Sequence, residues 1–544
     1  MGKYLRPSVH SNIINKQARL LNIGLFLQGY LNSSMKKPLI FTLVILFTTK
    51  MLFGQAAAPG ATVVIKNVNP LTRSRSLNVD SAVVTRHQVT INGKTISYTA
   101  TAGSIPVWDK DGRPIAGVFY TYYERDEVKD KSSRPLVISF NGGPGAPSCW
   151  MQIGYTGPLL VNVDDEGYPV QPYGVSENKN SILDVADIVF VDPVNTGYSR
   201  IIDKSTPESK FFGVNADIKY LAEWINTFVT RNTRWASPKF LIGESSGTNR
   251  VSGLALELQN IHGMYLNGVI LVSPTDLGTD RGGPIGVALP LPYFTAAAWY
   301  HGMLAPDLQQ KDLTAILPEV EGFTINQLIP ELCKGGFMDD KEKDELAEKI
   351  AHYSGLPKKL VLEYNLNIPR SLFQKALLRD KGYTIGRLDS RYKGIDRQTG
   401  GSTPDYPAEA VAWTNAFAPA INIYLRNVLN YKTDLKYAVF GDIPSWDYDS
   451  DHTGENLRLA MAQNPHLHVL AQSGYFDGSC DYFDVRYTLG QLDPSGRLKS
   501  RIKWACYRSG HMMYMQKDAR VSATEDLRKF ILESVPKPGE PAKY

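Results

Sequence analysis

A serine between two glycines is the first residue of this sequence with a chemical signature. Ser245 stands in a GxSxG pattern at positions 243–247, after the apolar run 240–242 and before a stretch of helical character. A turn from strand to helix this sharp would clash with side chains at both flanks, and its strain exposes the serine hydroxyl. The pattern therefore predicts that Ser245 is the nucleophile of an acyl-transfer reaction.

A serine nucleophile needs a histidine base and an acid that orients it, and on folds with this turn the chain order is serine, acid, histidine. Two strand-like runs near the C-terminus, 468–471 and 502–505, are followed by an aspartate and a histidine. The carboxyl ends of parallel strands meet at one edge of a sheet, so these side chains should meet the serine there. The predicted catalytic triad is Ser245, Asp477 and His511.

Alternatives for the acid and for the histidine remain open. Asp481 and Asp484 lie a few residues beyond the predicted acid and compete with it, and His511 has the alternative of a buried structural role. His466 and His468 are two residues apart, but they are interpreted as surface positions before a strand. No metal site and no cofactor are expected.

The oxyanion of an acyl-transfer intermediate needs two backbone N–H donors. Ser246 follows the nucleophile and supplies one of them. The glycine-rich segment 141–145 follows the apolar run 136–140, and Gly143 can bring its N–H close because it has no Cβ. These two residues are the predicted oxyanion hole.

The elements that would position these residues alternate between short apolar strands and helices, which indicates a parallel sheet covered on both faces. An Asn92-Gly93 hairpin precedes them, and residues 214–231 have the periodicity of a helix. The predicted fold is an α/β-hydrolase fold, a mostly parallel sheet with helices on both faces and an inserted, mainly helical cap. The predicted parts are a leader at 1–54, a first core segment at 55–279, the cap at 280–450 and a second core segment at 451–544.

The leader has the composition of a secretory signal. Residues 1–54 carry seven basic and no acidic side chains, and the remainder carries 52 basic and 54 acidic ones, so the net charge of +5 gives no reason to expect nucleic acid. Met35, a candidate true start, precedes two lysines and the apolar run 39–47, which is too short for a stable membrane span. An uncleaved anchor is the alternative. We expect a secreted or periplasmic protein without stable membrane insertion once the leader is removed.

Four cysteines follow the leader, and in an oxidising compartment they allow up to two disulfides whose pairing the sequence does not decide. They are Cys149, Cys333, Cys480 and Cys506.

Five motifs in one order resemble the serine carboxypeptidases over about residues 110–515. They are Asn-Gly-Gly-Pro-Gly at 141–145, Val-Asp-Pro-Val-Asn-Thr-Gly-Tyr-Ser at 191–199, Gly-Glu-Ser-Ser-Gly at 243–247, Ser-Gly-Tyr-Phe-Asp at 473–477 and Gly-His-Met at 510–512. The resemblance implies the same triad and oxyanion hole, and a secreted bacterial member of the family. It also implies a binding site for the carboxylate of a peptide C-terminus, formed by Asn141, Gly142, Glu244 and Tyr155.

Two positions depart from the family's pattern. Ser139 stands where members usually carry tryptophan, and Tyr155 stands where they carry the glutamate that partners the carboxylate-binding one. Cys480 lies where some members have a free thiol. The departures at Ser139 and Tyr155 affect carboxylate recognition and leave the triad intact, so the residues support hydrolysis more directly than exopeptidase action.

The predicted function is an exported serine carboxypeptidase acting on peptide or protein C-termini. The alternatives are an esterase or acyltransferase, or an inactive binding protein, and the oligomeric state is left open.

Overall fold

The computed structural model describes residues 75–444, 446–448 and 450–544. The predicted leader and its candidate start at Met35 lie outside these residues. Every described residue belongs to one compact unit, within Pro70–Tyr544.

The described strands lie between Ala82 and Tyr507, and nine of them form the continuous path of one central sheet. The strands are β1 Ala82–Ile91, β2 Lys94–Trp108, β3 Pro114–Arg125, β4 Leu136–Phe140, β5 Leu159–Val161, β6 Val175–Glu177, β7 Asp187–Val191, β8 Arg200–Ile201, β9 Lys239–Glu244, β10 Gly268–Val272, β11 Thr384–Ile385, β12 Lys393–Gly394, β13 His468–Gly474 and β14 Ile502–Tyr507.

The central sheet has the order β1-β2-β3-β7-β4-β9-β10-β13-β14. The six strands from β7 to β14 run parallel, whereas β1, β2 and β3 form an antiparallel extension at one edge. Every residue of β4, β7, β9 and β10 is buried, as expected for parallel strands covered on both faces. The predicted fold class is confirmed.

The Asn92-Gly93 hairpin is also confirmed. Ile91 pairs with Lys94, and both turn residues have positive φ, +49° and +76°. Turns of this kind match the twist of the two flanking strands and therefore fix their register.

Helices cover the sheet and fill the insertion. They are α1 Cys149–Met151, α2 Val214–Arg231, α3 Ser246–Asn260, α4 Gly283–Ala288, α5 Leu291–Tyr300, α6 Pro306–Gln309, α7 Leu313–Phe323, α8 Ile329–Leu332, α9 Asp340–Ser354, α10 Lys358–Glu363, α11 Arg370–Ala376, α12 Ala408–Ile423, α13 Thr453–Gln463, α14 Tyr482–Leu492 and α15 Lys517–Ser534. The helix expected at 214–231 is confirmed as α2. In the described part of the chain, no helix combines the length and the apolar character needed to cross a membrane.

Alternate residues of the parallel strands point to opposite sides of the sheet. Leu241 and Leu271 pack with α2, α3 and α13, while Ile242 and Ile270 pack with α15 and with aromatic residues of α12. This alternation follows from the two-residue period of a strand. It buries an apolar core on each face.

The insertion lies between two neighbouring strands of the sheet. β10 and β13 are parallel partners, with Gly268 opposite His468, although the segment 273–467 separates them in sequence. Residues 288–385 have an apolar core of their own. Residues 413–437 do not share it, since Trp413, Phe417 and their neighbours pack into the main core beside the sheet. The segment 280–450 is thus divided between a helical cap and part of the main body.

All four cysteines are free thiols in the structure. Cys149 is buried, Cys333 is exposed, and the other two are intermediate.

Candidate active site

Ser245 occupies a strained turn between β9 and α3. Its backbone has φ +56° and ψ −129°, which few residues with a side chain adopt. A Cβ on Gly243 would lie 2.1 Å from the carbonyl oxygen of Gly247, so only glycine fits there. The Ser245 N–H donates to the carbonyl of Val272 at 2.9 Å and ties the turn to β10. The strained geometry presents the side chain of Ser245 at the carboxyl edge of the sheet.

Asp477 and His511 form the second and third parts of the arrangement. His511 Nδ1 lies 2.7 Å from Asp477 Oδ2, and the carboxylate is fully buried. The other carboxylate oxygen of Asp477 accepts the N–H groups of Ser479 and Cys480 at 2.8 and 3.0 Å. Because Oδ1 accepts these backbone N–H groups, Oδ2 is directed at the imidazole and accepts the hydrogen bond from Nδ1–H, and Nε2 is left as the basic nitrogen.

The backbone around His511 is held from two directions. Its N–H donates to the carbonyl of Leu388 at 2.6 Å, and its carbonyl accepts the Ser273 hydroxyl at 2.6 Å. Burial disfavours the imidazolium, but the adjacent Asp477 carboxylate outweighs it and raises the pKa of His511 well above its ordinary value. The site therefore stabilises the positive charge that His511 acquires when it accepts a proton.

The rival acids have other partners. Asp481 caps α14 by accepting the N–H of Asp484 at 2.9 Å, and it pairs with Arg370. Asp484 binds the guanidinium groups of Arg370 and Arg281. The acid that contacts the histidine is Asp477.

Ser245 and His511 line one cavity of about 480 Å³. No hydrogen bond joins their side chains within the described residues. Apolar and aromatic side chains form much of the remaining wall, among them Trp150, Trp413 and Phe440. This space is of the size that ligand pockets have.

The predicted oxyanion donors lie at the same cavity. Gly143 and Ser246 both line it, and among the described residues neither backbone N–H donates a hydrogen bond. Gly143 has φ +110°, a conformation that side chains rarely allow, and Ser246 begins α3, where backbone N–H groups have no partner inside the helix. Two free donors beside the nucleophile suit a developing oxyanion.

Gly142 allows the two loops to meet. A Cβ at this position would lie 2.5 Å from the Ser246 nitrogen and 2.5 Å from the Glu244 carbonyl oxygen. Only glycine fits at position 142, because the segment 141–145 packs closely against the turn that carries Ser245.

Asn141 and Glu244 are buried side by side at the cavity, only 2% and 3% exposed. The Asn141 amide nitrogen donates to Glu244 Oε2, while its oxygen accepts the Met151 N–H at 2.9 Å. Burial raises the pKa of Glu244 to about 7, and the nearby His511 opposes this rise. Glu244 can thus carry a proton near neutral pH and donate a hydrogen bond to a second carboxylate.

Tyr155 is not part of this site, which corrects the prediction made for it. It is fully buried, it does not line the cavity, and its hydroxyl donates to Gln472 Oε1 at 2.8 Å. The hydroxyl that reaches Glu244 belongs to Tyr514, at 3.0 Å from each carboxylate oxygen. Sequence reasoning missed Tyr514, although its position three residues after His511 was a usable signal.

Cys480 stands close to the triad. Its thiol lies within 4.8 Å of a carboxylate oxygen of Asp477 and a ring nitrogen of His511. Among the described residues, this is the one cluster of three side chains whose atoms could together hold a metal ion. Burial raises the pKa of the Cys480 thiol, so the protonated form is favoured there. Because Asp477 and His511 already bond to each other, this grouping belongs to the triad.

Comparisons with known proteins find similarity to serine carboxypeptidases. Residues 92–274 match the family model described as serine carboxypeptidase. The Arabidopsis thaliana protein serine carboxypeptidase-like 36 is 28% identical over 172 residues, covering 29% of this chain and 32% of the relative. Serine carboxypeptidase-like 45 of the same plant is 25% identical over 257 residues, covering 42% of this chain and 49% of the relative.

A solved structure similar to this chain is the prohormone-processing carboxypeptidase Kex1(delta)p from Saccharomyces cerevisiae, with 15% identity and a TM-score of 0.49. The alignment covers 80% of this chain and 91% of that one. The chain spans about a third to a half of the length of the two plant relatives.

Proposed function

We propose that this chain, a member of the serine carboxypeptidase family through residues 92–274, removes C-terminal residues from peptides. The reaction passes through an acyl-enzyme on Ser245. The observation that carries the proposal is the buried Asn141–Glu244 pair, which lines the same cavity as Ser245 and His511. It gives the C-terminal carboxylate of a substrate a place to bind beside the nucleophile.

In the first half of the reaction, His511 Nε2 takes the proton of the Ser245 hydroxyl as Oγ attacks the carbonyl carbon of the last peptide bond. The negative charge on the carbonyl oxygen is met by the N–H groups of Gly143 and Ser246. His511 then gives its proton to the leaving amine, the C–N bond breaks, and the C-terminal amino acid departs. The remaining peptide is an ester of Ser245.

In the second half, water attacks the ester carbon while His511 Nε2 takes one of its protons. The tetrahedral intermediate collapses, the bond to Ser245 Oγ breaks, and His511 returns the proton to that oxygen. The products are the free serine and a peptide shortened by one residue.

The protonated form of Glu244 is the one that binds a substrate carboxylate. Two ionised carboxylates at contact distance repel each other, whereas a carboxylic acid donates a hydrogen bond to a carboxylate. Burial, which raises the pKa of Glu244 to about 7, therefore favours binding of a free C-terminus at acidic and neutral pH.

The departures at the carboxylate site favour one second candidate, an esterase or acyltransferase that uses the same triad. Glu244 has a tyrosine as its partner where the family pattern has a second glutamate, while the Asp477–His511 pair is complete. The same acyl-enzyme then transfers its acyl group to water or to another hydroxyl. The complete pair argues against the inactive binding protein.

The test is incubation with a mixed peptide library and mass spectrometry of the products, with Ser245→Ala as the control. Sequential loss of single C-terminal residues, absent in the variant, supports the carboxypeptidase. Turnover of esters alone, with the library unchanged, would favour the second candidate.

Export of the protein is a separate part of the proposal. It rests on the cationic start, the apolar run 39–47 and the small residues at 54–58. Cell fractionation and N-terminal sequencing of the mature protein test it, and a cytoplasmic chain that retains the apolar run 39–47 would contradict it.

A further inference from the structure

Tyr514 contributes the one tyrosine hydroxyl that contacts the Glu244 carboxyl group within the described residues. The hydroxyl lies 3.0 Å from both carboxylate oxygens, and the ring is fully buried. At this distance the O–H donates a hydrogen bond to the carboxylate. The contact joins a residue just beyond the triad histidine to the residue just before the nucleophile.

The ring of Tyr514 is held in place by its surroundings. It stacks on Tyr155 with centroids 5.1 Å apart and an interplanar angle of 9°. A Cβ on Gly154 would lie 2.7 Å from the ring, so the ring is seated closely against that glycine. Arg520 donates to the Tyr514 carbonyl at 3.0 Å and fixes the backbone. The hydroxyl is therefore directed at Glu244 by packing.

Several groups determine the charge of Glu244. Burial raises its pKa to about 7 and Asp477 acts in the same direction, whereas His511, the Tyr514 hydroxyl and the Asn141 amide lower it. Cys149 is a further neighbour whose thiol pKa is raised by burial. The pKa of Tyr514 itself is raised well above its ordinary value, first by burial and then by the Glu244 charge, so the phenol remains protonated and remains a donor.

We propose that Tyr514 is the positioning residue that controls the protonation of Glu244, with a phenol in the role that a second carboxyl group has elsewhere in the family pattern. A phenol donates a hydrogen bond to the Glu244 carboxylate, but it does not share the proton of the acid form. Glu244 therefore titrates as a single group, and the pH at which it loses its proton is set in part by this one hydroxyl. This inference rests on the proposed function, because Glu244 is taken as the acid that meets the substrate carboxylate.

The sign of the effect follows from which form the hydroxyl stabilises. A donor favours the ionised carboxylate, so Tyr514→Phe raises the pKa of Glu244 and keeps the acid form at higher pH. In the wild type, KM for a peptide with a free C-terminus rises with pH through the Glu244 titration. In Tyr514→Phe this rise moves up by about one pH unit, so KM is roughly threefold lower than in the wild type between the two midpoints and approaches roughly tenfold lower above both.

The experiment measures kcat and KM from pH 5 to 9 for one peptide with a free C-terminus and for the same peptide amidated. The variants are Tyr514→Phe, Glu244→Gln and Tyr155→Phe. Tyr155→Phe is the matched control, since it removes a buried hydroxyl that bonds to Gln472 instead of Glu244. Glu244→Gln should abolish the rise of KM with pH, because an amide donates at any pH, and the amidated peptide should show no such rise.

A shift confined to Tyr514→Phe and to the free peptide supports the proposal. A uniform loss of activity in Tyr514→Phe at every pH, or an equal shift in Tyr155→Phe, would show a merely structural role and overturn it. Should Tyr514→Phe fail to fold, a fluorinated tyrosine at position 514 keeps the packed ring and makes its hydroxyl a stronger donor, which should move the rise of KM to lower pH; an unmoved rise would overturn the proposal.

Infrared pH titration separates this inference from the proposed function, because it needs no turnover. The Glu244 signal is the protonated-carboxyl band that disappears in Glu244→Gln. Its titration midpoint should be higher in Tyr514→Phe than in the wild type, even in an enzyme that cleaves neither peptide. An unchanged midpoint would refute the role of Tyr514 whatever the substrate proves to be.

Discussion

At the scale of single residues, the chemistry depends on which partner each hydrogen-bonding side-chain atom of the site has. Ser245, Asp477 and His511 were found from residue type, chain order and the strand ends before them, because the triad imposes those features on a sequence. Tyr514 was not found, since the partner of Glu244 is chosen by which ring packs nearest in three dimensions. Tyr155 was predicted for that place, and its hydroxyl turns instead to Gln472.

Asp477→Asn should lower kcat by about 10³–10⁴-fold with little change in KM. The N–H groups of Ser479 and Cys480 fix which side-chain atom of residue 477 must be an acceptor. The amide oxygen of asparagine would meet them, and its NH₂ would face His511 Nδ1 and favour the wrong tautomer. Steady-state kinetics with one peptide substrate measures the loss.

Asp481→Asn is the control for this prediction, because Asp481 caps α14 and pairs with Arg370. It should retain most of the wild-type kcat. If Asp481→Asn shows the large loss of kcat predicted for Asp477→Asn, and Asp477→Asn does not, the acid of the triad has been misassigned.

At the scale of elements, the strands of the core were predictable because each is a short apolar run with a clear boundary. The segment 438–441 was not, since nothing local marks it as part of the site. Ala438 pairs with Gly197, and the Gly441 N–H donates to the Gly145 carbonyl at 2.7 Å. These contacts hold Phe440 at the cavity, with its ring 5.4 Å from Trp150.

Phe440→Ala should reduce kcat/KM roughly tenfold for peptides that end in a large apolar residue. Trp150 directly precedes Met151, whose N–H binds Asn141, so this aromatic wall adjoins the carboxylate site and should contact the C-terminal side chain. The Phe440→Ala variant should cleave peptides that end in glycine at close to the rate of the wild-type enzyme. A series of peptides that differ only in the last residue measures both effects.

Phe337→Ala is the matched control, because Phe337 is 99% exposed and does not line the cavity. Equal losses for all C-terminal residues in Phe440→Ala would contradict the assignment of this wall to the last side chain.

At the scale of the whole molecule, the insertion was predictable as an interruption of the strand-helix alternation. The division of the insertion between cap and main body was not predictable, because residues 413–437 pack in one core with α15, which lies about a hundred residues later in the chain. The cap is also joined to the core by charge. Arg370 of α11 binds Asp481 and Asp484 at the start of α14.

Arg370→Met should lower the free energy of unfolding by about 3 kcal/mol, because it leaves the buried Asp481 carboxylate without its cation. This loss of stability is at the low end of what removing one partner of a buried ion pair costs, since Arg370 is partly exposed. Denaturant unfolding followed by tryptophan fluorescence measures it.

Arg486→Met is the control, because Arg486 belongs to α14, the helix whose start binds Arg370, and the arginine side of its pair with Glu321 is mainly exposed. It should cost less than about 1 kcal/mol. Equal losses in the two variants would contradict a special role for the Arg370 contact.

The central claim is that Ser245 carries the acyl group of the substrate. A peptide ester that deacylates slowly is mixed with the enzyme, the reaction is quenched in acid within milliseconds, and the protein is digested for mass spectrometry. We expect the fragment containing Ser245 to gain the mass of the acyl half of the substrate, and Ser245→Ala to show neither the adduct nor product release. An adduct on another residue, or product release at the wild-type rate in Ser245→Ala, would contradict the claim.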